Sequence, residues 1–106
     1  METRDACAKG FAVVTPSIFA DRAPDYVRFL EAAFGAREIG RSIAPDGRLA
    51  DCQPHFDTTT IMVSEASDAY PATRAASYRH VADADAAMVR AEKAGAEPIM
   101  PVADMP

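Results

Sequence analysis

Two stretches of the chain share one layout, and this repetition restricts the fold more than any other feature. The first, VTPSIFADRAPDYVRFLEAAFGAREIG, runs strand, helix, glycine stop, strand. The second, ASYRHVADADAAMVRAEKAGAEPIMPVADMP, keeps that order. Anchored on FGAREI and AGAEPI, the two stretches carry Gly, Ala and Ile at equal offsets. A helix followed by Gly-Ala and a strand is common, so these offsets gain force only together with the strand-like run before each helix. Taken together they predict an internal duplication.

Local chemistry supports the individual elements. FAVVTPSIF reads as a first strand, rich in Val, Phe, Ile and Thr, with Pro16 marking an edge or a bulge because proline cannot donate to a ladder. DRAPDYVRFLEAAFG reads as a helix: Pro24 suits its first turn, Asp21 and Asp25 suit its positive end, and Gly35 suits a left-handed stop. Tyr26, Val27, Leu30, Ala33 and Phe34 fall on one face, which should cover a sheet. REIGRSIAPDGRLADCQPHF then gives two strands joined by a tight turn at Pro45-Asp46-Gly47, and a turn near Asp57 and Thr58 leads into the strand TTIMVSEA. The first unit is therefore expected to be βαβββ. EASDAYPATRAA has no period and reads as a linker. SYRHV resumes as a strand and DADAAMVRAEKAG as a helix, with Asp83 as N-cap, Gly95 as stop and a thin apolar stripe of Ala84, Ala87, Met88, Ala91 and Ala94.

Charge and composition remove several classes of function. A net charge of −5, with Lys and Arg dispersed among acids, argues against nucleic acid, whose phosphates need clustered cations. No apolar run approaches the roughly 18 residues of a membrane span, so no membrane partner is expected. The polar start METRDACAKG lacks the apolar core of a signal peptide. Cys7 and Cys52 match no zinc or redox spacing and are expected as free thiols in a reducing cytoplasm. At 106 residues the chain is one domain's worth. Gly-rich phosphate loops, a G-x-S-x-G elbow and an H-E-x-x-H motif are all missing from it.

The strand with most polar chemistry is LADCQPHF. Period-two alternation puts Asp51, Gln53 and His55 on one face and Cys52, Pro54 and Phe56 on the other. Asp51 and His55 are four residues apart, roughly 13 Å along a strand, too far to share one ion. Each could still bind a ligand group or act alone. The plainer alternative is a strand with one solvated face. In SYRHV, Tyr78 and His80 alternate with Ser77 and Arg79 and are further candidates.

Three stretches, VTPSIFADRAPDYVRFLEAAFGAREIGRSIAPDGRLAD, TTIMVSEA and DADAAMVRAEKAGAEPIMPVADMP, cover most of the chain and resemble the glyoxalase, bleomycin-resistance and extradiol-dioxygenase (vicinal oxygen chelate) superfamily, in its PhnB-like branch. The combination of FLEAAFGA, a Pro-Asp-Gly hairpin and a second AGA helix leading to MPVADMP carries the resemblance. It implies an α+β fold of paired βαβββ modules curling round a ligand cavity: module one at about 10–66, a linker at about 67–75 and an incomplete module two at about 76–106. Family members continue past the position of Pro106 with a further hairpin, so the resemblance also implies a C-terminally truncated member and, through its unpaired strand edges, a homodimer.

The same resemblance fixes where a metal would sit in metal-dependent members, near Val14, Met62 and Ala76 here, with a fourth ligand in the missing strands. None of these side chains holds a hard divalent cation, and neither do their neighbours Val13, Thr15, Ile61, Val63 and Ser77. No metal or other cofactor is therefore expected. Asp51, Gln53 and His55 would face the cavity, and so would Tyr78 and His80, although this leaves Arg79 beneath the second helix, where an unpaired charge is costly. The expected function is small-molecule binding in a dimer cavity without a metal. The alternatives are a metal-dependent lyase, isomerase or dioxygenase of the same superfamily, and a truncated product with no function of its own.

Overall fold

A computed structural model describes residues 11–104. Its elements are β1 (Ser17–Ala20), α1 (Ala23–Phe34), β2 (Arg37–Ile43), β3 (Leu49–Phe56), β4 (Thr59–Thr60), β5 (Met62–Glu65) and α2 (Ala84–Lys93). The strands form one mixed sheet in the order β1-β5-β3-β2, with β4 also on β3. β1 runs parallel to β5, and the remaining pairs are antiparallel. The described residues thus form a small α+β domain with two helices and a five-stranded sheet.

Proline chemistry shapes the strands. β1 is shorter than the expected 11–19 run because it starts only after Pro16, whose carbonyl accepts from Met62 N–H at 2.8 Å; before it, Val14 is 82% exposed. TTIMVSEA, read as one strand, is split at Ile61. Ile61 N–H donates to the Pro54 carbonyl at 3.0 Å, but proline has no N–H to return the bond. β4 and β5 nevertheless keep one register opposite β3, with His55 facing Thr60 and Cys52 facing Val63. The Pro45-Asp46-Gly47 turn forms as expected: Gly47 has φ +87° and its N–H reaches the Ala44 carbonyl at 2.9 Å.

α1 lies across one face of the sheet. Ala23, Val27, Leu30, Ala36, Leu49, Cys52 and Val63 make the buried core, flanked by Tyr26, Phe29, Phe34 and Phe56. β3 thus buries Cys52 and Pro54 toward the helix, as the alternation predicts. Leu49 joins them across a register shift between Ser42 and Ile43. At its first turn α1 is capped from a distance: the Glu65 carboxylate accepts from Arg22 N–H at 2.9 Å and Ala23 N–H at 3.0 Å. Gly35 ends the helix at φ +71°.

The second half departs from expectation. α2 forms, and the Asp83 side chain caps it by accepting from Ala86 N–H at 3.0 Å. Residues 77–81, expected as a strand, belong to no ladder, and the run after α2 does not become a strand either. Strand-forming side chains do not make a strand without a partner edge, and the edge of β1 is covered instead by the linker. Phe19 N–H donates to Thr73 Oγ1 at 3.2 Å, and Thr73 N–H to the Phe19 carbonyl at 2.9 Å.

Candidate functional site

β3 holds Asp51, Gln53 and His55 half-buried on the face turned away from α1. The β3–β5 register sets Ser64 and Met62 beside Asp51 and Gln53. The row resolves into two separate pairs. Gln53 Nε2 donates to Asp51 Oδ2 at 2.7 Å, and His55 Nδ1 lies 2.7 Å from the hydroxyl of buried Thr60. Asp51 and His55 therefore do not act as one unit.

Gly40 on β2 fixes the first pair. A Cβ at this position would lie 2.6 Å from Gln53 Oε1, so the amide packs directly on the glycine backbone with its NH2 turned to Asp51. The other carboxylate oxygen, Asp51 Oδ1, is shielded from solvent and has no hydrogen-bond partner among the described residues. A polar atom in that state costs about 1–3 kcal/mol relative to a satisfied one.

On the helix side of the same strand, burial above all, and then the nearby Glu38 carboxylate, push the Cys52 thiol up to about 11. Cys52 is a buried free thiol, and Cys7 lies outside the described residues. A hydrogen bond from Arg41 holds the Glu38 carboxyl below its usual range. Thiolate chemistry at Cys52 is accordingly suppressed at neutral pH.

Tyr78 and His80 stand on one side of the 77–81 segment with ring centroids 5.1 Å apart, edge to face, and Tyr78 is 86% exposed. Arg79 points the other way. Its Nη2 donates to the Phe34 carbonyl at 2.8 Å and its guanidinium lies 5.6 Å from the Phe34 ring centroid. The conflict foreseen for Arg79 is thereby resolved, because its charge reaches the carbonyl end of α1, where the helix dipole favours a cation. Arg90 of α2 reaches the same end, donating from Nε to the Ala32 carbonyl at 2.8 Å.

The concavities among the described residues include a groove of about 670 Å³ between α2 and residues 98–102, one of about 530 Å³ between α1 and α2, and one of about 360 Å³ near Asp21 and Ser67. None of the three is lined by the five residues singled out from the sequence. Among the described residues no group of three or more His, Cys, Asp or Glu side chains is placed to hold a metal ion. No helix among them is long and apolar enough to cross a membrane. Sequence reasoning missed Gly40 and Thr60 as partners of the β3 row. A glycine inside a strand was the available signal for a close approach.

No family model matches the sequence, and no curated protein matches it. Solved structures do. One is a gene product from Arabidopsis thaliana, with TM-score 0.66 and 22% identity over 87% of this chain and 80% of that one. Another is TioX from Micromonospora sp. ML1, with TM-score 0.62 and 24% identity over 88% of this chain and 78% of that one. At such identities the likeness establishes the shared α+β architecture and nothing about chemistry.

Proposed function

We propose that this protein is a small-molecule-binding member of the glyoxalase, bleomycin-resistance and extradiol-dioxygenase superfamily. In this reading residues 17–65 form one βαβββ module, and the 77–81 segment with α2 begins its counterpart. The ligand lies against the open face of the sheet, in a cavity completed by a second copy of the chain, and is held without a metal.

The observation that carries this reading is the Asp51–Gln53 pair. Gln53, packed over Gly40, holds the half-buried Asp51 carboxylate, one of whose oxygens has no donor among the described residues. A ligand bearing an N–H or O–H group would hydrogen-bond the part of the Asp51–Gln53 pair that stays open to solvent. The exposure of Val14, Ile43 and Tyr78, large apolar or aromatic side chains, supports a second copy as cover.

Native mass spectrometry of the purified protein provides the test. A metal-free dimer carrying an organic adduct, lost when Asp51→Asn is introduced, is the expected result. A monomer at micromolar concentration would remove the shared cavity. One metal per protomer would move the reading to a metal-dependent lyase, isomerase or dioxygenase.

A further inference from the structure

α2 separates its charges by face. Asp85, Met88, Val89 and Glu92 stand at i, i+3, i+4 and i+7 and line the groove of about 670 Å³ facing residues 98–102. Arg90 and Lys93 line the opposite groove toward α1, where Arg90 is already engaged with carbonyl oxygens. Between its two carboxylates the first groove is apolar. Its far wall includes Ile99, 95% exposed, and Met100, 63% exposed, so this segment flanks α2 without closing onto it. Among the described residues no cationic side chain lines the groove, and neither Asp85 nor Glu92 belongs to an ion pair.

The geometry points to a binding site for an amphiphilic cation. Its apolar body lies along Met88, Val89 and Met100, and its ammonium or guanidinium head reaches Asp85 or Glu92. Seven helical residues separate the two carboxylates by roughly 10 Å, so a molecule of drug-like length places its head at either end. The groove volume falls within the range of about 300–1,000 Å³ typical of small-molecule sites. Two carboxylates repel an anion built on the same apolar body, and a neutral analogue gains only the apolar contact. The chain's net charge of −5 adds a field in the same sense. The site is separate from the Asp51 row and does not depend on the function proposed for it.

The methionines report the two places independently, since Met62 adjoins Gln53 while Met88 and Met100 line the groove. The experiment is a titration of methyl-labelled methionine protein with octylammonium, octanol and octanoate, followed by NMR. Octylammonium is expected to give saturable shifts at Met88 and Met100, with affinity about threefold or more above octanol, and octanoate to bind more weakly than octanol. The double variant Asp85→Asn/Glu92→Gln, at exposed positions, should bring octylammonium to the octanol value and leave octanol unchanged. Equal affinity for all three probes, shifts confined to Met62, an absence of saturation at Met88 and Met100, or an unchanged double variant would each overturn the assignment.

Discussion

Burial at Cys52 makes a testable link between packing and pH. The ordinary value for this thiol is 9.0, and in the folded protein it rises to about 11, first through burial and then through Glu38. The unfolded chain therefore ionises first as pH rises. The contribution of Cys52 to stability is complete below pH 9, shrinks between pH 9 and 11, and is gone above that range. Urea midpoints in a Cys7→Ser background should fall more steeply over this window than in Cys7→Ser/Cys52→Ala, and equal slopes would contradict the burial argument. At Gly40 a different balance applies. The atom that a new Cβ meets is the end of the flexible Gln53 side chain, so Gly40→Ala should cost less than about 1.5 kcal/mol of stability by turning the amide aside. Because that turn breaks the bond to Asp51, ligand affinity should drop far more than the unfolding midpoint, as calorimetric titration beside thermal melts would reveal. Period-two alternation was enough to place Asp51, Gln53 and His55 on one face. It could not name Gly40 or Thr60 as their partners, because those contacts depend on the exact register of β2 and β4 against β3, which in β2 is shifted between Glu38 and Arg41.

Among the elements, α1 shows how much of a helix lies outside its own sequence. Its apolar face, Pro24 and Gly35 were legible locally, yet the group that satisfies its first N–H donors is Glu65, more than forty residues away. A carboxylate accepting two such bonds at the positive end of a helix is worth about 1–3 kcal/mol. Glu65→Ala should lower thermal stability by that amount, and Glu65→Gln, which keeps one acceptor, should lose less; identical melts for the two variants would show that charge and acceptor are irrelevant there. The split of TTIMVSEA into β4 and β5 has an equally specific cause in Pro54, whose missing N–H acts on the neighbouring strand. SYRHV failed as a strand for a third reason. β propensity measures fit to a pleated surface, and this segment meets none within the described residues.

The molecule as a whole is unevenly packed. Its Cα radius of gyration is 15.4 Å, against about 13 Å expected for a compact domain of this length. The sheet and α1 hold nearly all of the buried core, whereas α2 fully buries only Ala91. What joins α2 to the rest is largely polar. Arg90 donates to the Ala32 and Glu31 carbonyls, and Arg79 to that of Phe34, so two guanidiniums from the second half close the carbonyl end of α1. α1 has no basic residue in its own last turn to do this. Stability should accordingly be graded, with α2 opening as a unit well before the sheet unfolds. In native-state hydrogen exchange, the amides of α2 should exchange through an opening shallower than that of Val27, Leu30 and Val63. Arg90→Ala should accelerate α2 by about tenfold, corresponding to roughly 1.4 kcal/mol for the lost charged hydrogen bonds, while leaving exchange in β3 and β5 nearly unchanged. If the variant instead raised exchange equally in both halves, α2 would be part of one cooperative unit, and the sheet would owe its stability to a helix that buries almost none of its surface.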